Sequence, residues 1–196
     1  MPLAHPAPMK IRWPPPPLGL GTPLNLASAS PEARALVGRS WWLVPVLGLA
    51  TPFLMLVIDH VLFAGVSLQR VRDLGSQPLG FRILVVLYSG VTEELLYRLF
   101  LATFVAWLAH MAISRFTRAP TALAQWLGIL VAALMFGLAH VGNLPDVAQP
   151  VLRAVTVNGA AGLILGWLYW WRGLELAILT HMVAIVVLYI AVPPFL

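Results

Sequence analysis

Apolar stretches long enough to cross a lipid bilayer as helices occupy most of this chain. They cover residues 41–67, 82–113, 121–141, 151–171 and 174–193. A bilayer core about 30 Å thick is crossed by about 20 helical residues. Because backbone polar groups in lipid must be hydrogen-bonded within the protein, such stretches fold as helices that pack into a bundle. The sequence therefore predicts an all-α, polytopic membrane protein.

The composition supports the same fold class. Of the 196 residues, 60% are hydrophobic and 10% are charged, and the mean hydropathy is +0.88, which lies outside the usual range of soluble domains. Cysteine is absent, which excludes disulfides, thiolate metal sites and a cysteine nucleophile. The net charge of +5 comes from basic residues that lie mostly between the apolar stretches. No basic cluster interleaves with aromatic residues, so we expect no nucleic-acid partner.

The stretch 82–113 is long enough to bend or break, and "YSGVTEE" offers a place for it. Gly90 loosens a helix, and Thr92 can cap a new helix that begins with Glu93 and Glu94. The sequence is therefore compatible with five or six transmembrane segments.

The first 40 residues contain nine of the 17 prolines, including the run "WPPPPLGLGTP". Proline interrupts helices and sheet ladders, so we predict a mobile tail at 1–40, followed by a transmembrane helix at 41–67. With five spans and this tail on the inside, the inner segments hold seven basic residues and the outer segments hold four. Cytoplasmic segments are enriched in basic residues, so we expect a cytoplasmic N-terminus.

Three charges interrupt the second apolar stretch, within "VTEELLYRLF". Charged side chains inside a membrane are costly, and they normally pair and mark function. Glu94 and Arg98 are four residues apart on one helix face and can form a salt bridge. Glu93 points about 100° away from that face. We therefore expect Glu94 to be structural and Glu93 to be available for chemistry.

Histidines lie inside two other apolar stretches, His140 at the end of "LMFGLAH" and His181 in "LAILTHMVAIVV". A water polarised between a carboxylate and an imidazole can attack a carbonyl, and the same groups can bind a divalent metal. The sequence contains no HExxH motif, and no GxSxG elbow surrounds Ser89. The usual signatures of zinc and serine hydrolases are therefore absent.

Two further features concern helix packing. Gly162 and Gly166 have the spacing that lets membrane helices approach closely, and we expect this contact inside the monomer rather than at a dimer interface. Asp59 and His60 interrupt the first apolar stretch near one end. We interpret them as its interfacial boundary.

Three segments together resemble a known family. "EELLYR" (Glu93, Glu94, Arg98), "FGLAH" (Phe136, His140) and "GAAGLILGWLYWWRGLELAILTH", which ends at His181, are similar to the EExxxR, FxxxH and HxxxN motifs of the CPBP (Abi) family. This family contains the CAAX proteases and bacteriocin-processing enzymes, which are intramembrane endopeptidases of the glutamic type. The resemblance covers about residues 82–190. It implies a four-helix catalytic core in a membrane domain at 82–193, with 41–67 as an accessory helix.

The resemblance also implies roles for the matching positions. Glu93 corresponds to the glutamate that activates water together with His140, and His181 corresponds to a histidine that stabilises the oxyanion. Glu94 and Arg98 correspond to the pair that braces the motif helix, with Phe136 in support. The implied reaction is peptide-bond hydrolysis without a cofactor. A divalent metal at Glu93, His140 and His181 is the alternative.

One position departs from the family motifs, because Ile185 stands where the third motif has asparagine. Removing one oxyanion donor typically costs about 2.7–4 kcal/mol of transition-state stabilisation. Asn158, Thr180 or Asn143 can supply a donor in its place. The alternative function is a catalytically inert relative that binds a membrane peptide as an immunity or scaffold protein.

The resemblance implies a membrane-anchored or lipidated peptide or protein as the partner, together with the lipid bilayer. Family substrates include prenylated CAAX tails, bacteriocin leaders and membrane-anchored C-terminal tails. We expect a multi-pass protein of a bacterial inner (plasma) membrane.

Overall fold

The computed structural model describes residues 35, 38–64, 67–114, 121–143 and 148–195, and all regular elements in them are helical. Most of the predicted tail at 1–40 lies outside the described residues. Six helices make up the described fold: α1 (Leu43–Phe63), α2 (Ser67–Gly75), α3 (Leu79–Leu87, Tyr88–Glu93, Leu95–Ala102 and Thr103–Ser114 in succession), α4 (Thr121–Leu138), α5 (Pro150–Arg172) and α6 (Leu174–Val186, continued by Val187–Ala191). Short 3₁₀ turns follow α4 at Val141–Asn143 and α6 at Pro193–Phe195.

Four of these helices are long and apolar enough to cross a membrane. They are Gly38–Phe63, Leu79–Ile113, Pro150–Arg172 and Leu174–Phe195, and a shorter apolar helix covers Ala122–Leu138. Large apolar side chains cover their outer faces; Phe53 and Val61, for example, are each 71% exposed. Such surfaces suit contact with lipid, which has no polar groups to satisfy. The predicted all-α, polytopic bundle is confirmed.

Helix α3 is continuous where the sequence allowed a break. Its middle is wound mostly as π-helix from Tyr88 to Ala102, a wider turn that is frequent at functional sites. Thr92 lies inside this segment rather than at the start of a new helix, so the break and the cap that the sequence allowed are not formed. Gly90 has another use, because a Cβ there would collide with Met182 Cγ. The lack of a side chain at Gly90 lets α3 approach α6 just before the acidic pair.

Helices α4 and α5 pack closely through small residues. A Cβ added at Gly162 would lie 2.9 Å from Ala133 Cα, and one added at Gly166 would lie 3.0 Å from Ile129 Cγ2. Both glycines therefore contact α4 of the same chain, which confirms their expected use inside the monomer. This contact sets the distance between the helices that carry His140 and Asn158.

We expect Gly162→Ala to lower the free energy of unfolding by about 1–3 kcal/mol, because the new Cβ overpacks against backbone. The matched control is Gly80→Ala in α3, where an added Cβ meets nothing within 4 Å. Helix propensity alone should raise stability there by about 0.5–1 kcal/mol. Denaturant unfolding in detergent micelles measures both variants. Equal effects would contradict the close α4–α5 contact.

Asp59 joins α1 to α5 through a contact that the sequence did not predict. It is buried, and its Oδ1 accepts a hydrogen bond from Arg153 Nε at 2.6 Å. A buried acid is tolerated in a membrane helix when a cation neutralises it. Its neighbour His60 is exposed, and the interpretation of the two residues as an interfacial boundary stays a prediction.

Candidate active site

A partly open cavity of about 500 Å³ lies inside the bundle. All six helices, and the turn that follows α4, supply residues to its wall. Residues from three separate parts of the sequence meet there. Of the side chains singled out in the sequence, those that line the cavity are Ser89, Thr92, Glu93, Phe136, His140, Asn158, His181 and Ile185. Glu94 and Arg98 lie behind this lining and are fully buried.

Behind the cavity wall, Glu94 holds two side chains, those of Arg98 and His181. Its Oε1 lies 3.0 Å from Arg98 Nη1 and accepts a hydrogen bond from His181 Nδ1 at 2.8 Å. The predicted Glu94–Arg98 pair is confirmed as a close charge contact, although Nη1 is not aligned as a hydrogen-bond donor. The link from Glu94 to His181 was not predicted. Glu94 therefore sets the orientation of the His181 ring.

Arg98 has two further contacts that hold it inside the bundle. Its Nη2 donates to the Gly162 carbonyl at 3.4 Å, and its guanidinium lies 4.6 Å from the centroid of the Phe136 ring. A guanidinium over an aromatic face is stabilised by a cation–π interaction. Arg98 thus ties α3 to both α4 and α5, the helices that supply the other side of the cavity.

Glu93 differs from Glu94 in its surroundings. Its side chain is 16% exposed, and its buried Oε2 accepts no hydrogen bond from the described residues. The imidazole Nε2 of His181 lies 3.9 Å from this Oε2. This distance is too long for a hydrogen bond. Glu93 therefore presents an acceptor oxygen to the cavity, as the sequence predicted for the acid that does not pair with Arg98.

His140 is oriented by the end of helix α4. Because α4 ends at Leu138, its last carbonyls lose their helical partners, and the Phe136 carbonyl accepts a hydrogen bond from His140 Nδ1 at 2.7 Å. A carbonyl can only accept, so Nδ1 carries the proton. In the neutral ring, Nε2 is then left as an acceptor.

The Phe136 ring is the common neighbour of the polar groups. Its centroid lies 4.6 Å from that of His140, 5.2 Å from that of Tyr97 and 6.0 Å from that of His181. The apolar Phe136 ring contacts the imidazoles of both His140 and His181 and covers part of each from water. Phe136 therefore supports the arrangement without bonding through its side chain.

The three candidate replacements for the missing asparagine are placed differently. Asn158 lines the same cavity as Ile185 and makes no hydrogen bond to the described residues. Thr180 is fully buried outside the cavity lining, and its hydroxyl has no hydrogen-bond partner in the described chain. The Asn143 side chain lies outside the described part. Asn158 is therefore the donor candidate that faces the site.

The cavity wall also contains polar residues that were not predicted: Thr51, Arg70, Tyr97, Arg153 and Tyr189. Tyr97 precedes Arg98 in the motif segment. A tyrosine beside a charged residue of an apolar helix could have been predicted to lie near the site. Arg70 lies between two apolar stretches, where a basic residue indicates topology rather than a site. Thr51 gave no signal, because one hydroxyl in an apolar helix usually bonds to its own backbone.

No three His, Asp or Glu side chains in the described ranges gather closely enough to hold an ion. His181 Nδ1 is engaged by Glu94, and His140 Nδ1 is engaged by a carbonyl. Such hydrogen bonds at Nδ1 are compatible with metal binding through Nε2. The alternative of a divalent metal at Glu93, His140 and His181 therefore stays a prediction from the sequence.

Comparisons with known proteins bear on the same segment. A family model described as type II CAAX prenyl endopeptidase Rce1-like matches residues 75–187. No curated protein and no solved structure matches the chain. The matched range is more than half of the chain and contains the acidic pair of α3 and both cavity histidines. The resemblance noted in the sequence is thereby confirmed, and the chain belongs to the type II CAAX prenyl endopeptidase Rce1-like family.

Proposed function

We propose that this protein is a glutamate-dependent intramembrane endopeptidase, in which Glu93 activates the attacking water. Family membership makes it a membrane protein related to peptide hydrolases. The finer assignment rests on the buried Oε2 of Glu93, which accepts no hydrogen bond from the described part of the chain, in a cavity that Glu93 shares with His140 and His181. A carboxylate with a vacant acceptor next to two imidazoles is suited to general-base chemistry.

In the proposed reaction, Glu93 takes a proton from a water in the cavity, and the resulting hydroxide attacks the carbonyl carbon of the scissile peptide bond. His140 Nε2, the acceptor nitrogen of its neutral ring, holds the other hydrogen of that water. When the C–N bond breaks, the proton on Glu93 passes to the leaving amine. One water is consumed, a new carboxyl and a new amine form, and Glu93 returns to its starting state.

His181 supplies charge stabilisation in this proposal. In this proposal both ring nitrogens of His181 donate, Nδ1 to Glu94 and Nε2 to the oxyanion of the tetrahedral intermediate. Nε2 lies 3.9 Å from Glu93 Oε2, which places it beside the proposed catalytic carboxylate. A donor held in place before the reaction stabilises the oxyanion without reorganisation. Glu94 is a positioning residue, because it acts through His181.

We propose Asn158 as the second oxyanion donor, in the role that the family gives to the residue at position 185. We expect Asn158→Leu to lower kcat by a factor of about a hundred to a thousand. Adding Ile185→Asn to that variant should restore part of the loss, since both positions line the cavity. The measurement is kcat of the reconstituted protein, with thermal unfolding as the control for folding. An unchanged kcat in Asn158→Leu would refute the assignment.

The proposed substrate is a membrane-anchored or lipidated peptide. The cavity lies within a bundle whose outer faces carry large exposed apolar side chains, which suits a substrate held in the bilayer by an apolar anchor. A prenylated C-terminal peptide agrees with the family description. Bacteriocin leaders and other membrane-anchored tails are the competing substrates. A bacterial inner membrane and a cytoplasmic N-terminus remain predictions from the sequence.

The proposal is tested with the purified protein in lipid nanodiscs, incubated with a farnesylated CAAX peptide and an unlipidated peptide of the same sequence. In heavy-oxygen water, hydrolysis places the heavy atom in the new C-terminal carboxyl, which mass spectrometry detects. We expect cleavage that persists after metal chelation and is lost in His140→Gln. Binding of the peptides without cleavage would favour the inert relative, for which Ile185 is the supporting feature.

A further inference from the structure

The helices of the bundle alternate in direction, and contacts near their termini show which of these lie at the same end. At one end, the start of α1 packs with the end of α5 and the start of α6, because Leu43, Leu168 and Leu176 share one apolar cluster. At the other end, Asp59 near the end of α1 bonds to Arg153 in the first turn of α5. We call this second end the α2 end, because α2 follows α1 there.

The α2 end also holds termini of the remaining helices. Arg82, in the first turn of α3, donates from Nη1 to the Tyr189 carbonyl near the end of α6 at 3.1 Å. A Cβ added at Gly137, near the end of α4, would lie 3.0 Å from the Ala154 carbonyl oxygen near the start of α5. The α2 end therefore brings together the starts of α3 and α5 and the ends of α1, α4 and α6.

The cavity lies in the half of the bundle next to the α2 end. Among the described residues, α3 lines it only up to Tyr97, α4 only from Phe136 onward and α6 only from His181 onward. At the opposite end of the bundle, Leu168 and Leu176 of the apolar cluster are fully buried. Close-packed apolar side chains leave no room for water there. Access to the cavity is therefore expected from the α2 end.

Helix α2 lies at the mouth of the cavity. Its Arg70 and Leu74 line the cavity wall, while Gln69 and Arg72 of the same helix are exposed. Ala139, which follows α4, lines the cavity and is exposed as well. Charged and amide side chains are costly in the bilayer core, so the exposed side of α2 belongs at the boundary between membrane and water. Water reaches the cavity from this boundary.

The distribution of basic residues indicates which compartment the α2 end faces. The sequence has seven basic residues before α1, between α3 and α4 and at the end of α5, which are segments that the helix directions assign to the opposite end. The α2 end has four, and one of them, Arg153, is buried in its ion pair with Asp59. Cytoplasmic segments are enriched in lysine and arginine. This asymmetry favours a non-cytoplasmic location of the α2 end.

We propose that the active-site cavity opens at the non-cytoplasmic face of the membrane, and that the scissile bond belongs to a peptide exposed on that face. The part about the peptide rests on the proposed function, whereas the position of the opening does not. A membrane-anchored tail that has crossed the bilayer meets this condition. A tail confined to the cytoplasm, lipidated or not, does not reach Glu93. The opening thus selects among the competing substrates by compartment.

The test is cysteine labelling of the full chain, which has no cysteine of its own. Gln77→Cys marks the exposed connection after α2, and Gly38→Cys marks the opposite end, where an added Cβ meets nothing within 4 Å. Ala139→Cys and Ile185→Cys report on the cavity wall. Each variant is produced in a bacterial host, and its spheroplasts are treated with a small, charged methanethiosulfonate that does not cross membranes, before and after lysis.

We expect Gln77→Cys and both cavity variants to react in intact spheroplasts, and Gly38→Cys to react only after lysis. Reaction of Gly38→Cys in intact spheroplasts, or of Gln77→Cys only after lysis, would overturn the proposed orientation. Reaction of Gln77→Cys without reaction of either cavity variant would overturn the opening at that face. Two cavity positions are used so that a folding defect in one leaves the other informative. Labelling requires no cleavage, so failure of the endopeptidase proposal leaves this result readable.

Discussion

Replacing Glu93 with glutamine is expected to lower the rate of peptide cleavage by a factor of about 10²–10⁴, the usual contribution of a positioned general base. Glutamine has the shape of glutamate but cannot take a proton from water. The Oε2 of Glu93 accepts no hydrogen bond from the described residues, so the substitution removes no hydrogen bond at that oxygen. The measurement is kcat of the reconstituted protein with a peptide that the unsubstituted protein cleaves.

The matched control is Glu175→Gln at the start of α6, another acid of a membrane helix that does not line the cavity. It should leave kcat within about twofold, since surface substitutions away from special features have small effects. Thermal unfolding should be the same for both variants. A Glu93→Gln protein that retained full kcat would remove Glu93 from the mechanism.

A second large effect is expected on stability rather than on chemistry. Arg98→Ala should lower the free energy of unfolding by about 3–5 kcal/mol, because it leaves a buried carboxylate without its cation. Glu94 and Arg98 are fully buried and lie 3.0 Å apart, and Arg98 also contacts the Gly162 carbonyl and the Phe136 ring. Denaturant unfolding in detergent micelles measures the change.

Two variants control for this result. Arg72→Ala removes an exposed arginine and should change stability by less than about 0.5 kcal/mol. Replacing Glu94 and Arg98 together by leucine should recover part of the loss seen in Arg98→Ala, since exchanging both partners of a buried pair for apolar residues is often neutral. An Arg98→Ala protein as stable as the unsubstituted chain would show that Arg98 does not brace the motif helix.

Local spacing predicted a good part of the site. The Glu94–Arg98 pair follows from four-residue spacing on a helix, and the same argument identified Glu93 as the acid outside that pair. His140 and His181 were identified as candidates because they lie inside apolar stretches, where a polar side chain is uncommon. The glycines of α5 were correctly assigned to packing inside the monomer, because small residues at that spacing let helices approach.

What spacing did not predict are the contacts between helices distant in sequence. Asp59 and Arg153 are 94 residues apart, and their pairing depends on how α1 is rotated against α5. His181 contacts both acids through the two nitrogens of one ring, although an ideal helix turns neighbouring residues about 100° apart. The π-helical turns around Glu93 change the angle between neighbouring side chains. No pattern in the sequence predicted these turns. The orientation of His140 depends likewise on where α4 ends.

We propose that the protein hydrolyses peptide bonds of membrane proteins and that Glu93 activates the water. A survey of new protein termini tests this proposal most directly. Membrane proteins are compared between native host cells that carry this chain and cells that carry Glu93→Gln at equal abundance. The survey works without a chosen substrate, because it detects every new terminus. The account predicts a set of cleaved termini that is present with the unsubstituted chain and absent with Glu93→Gln. Identical termini in both, with both proteins folded and present, would contradict it and favour the inert, peptide-binding relative.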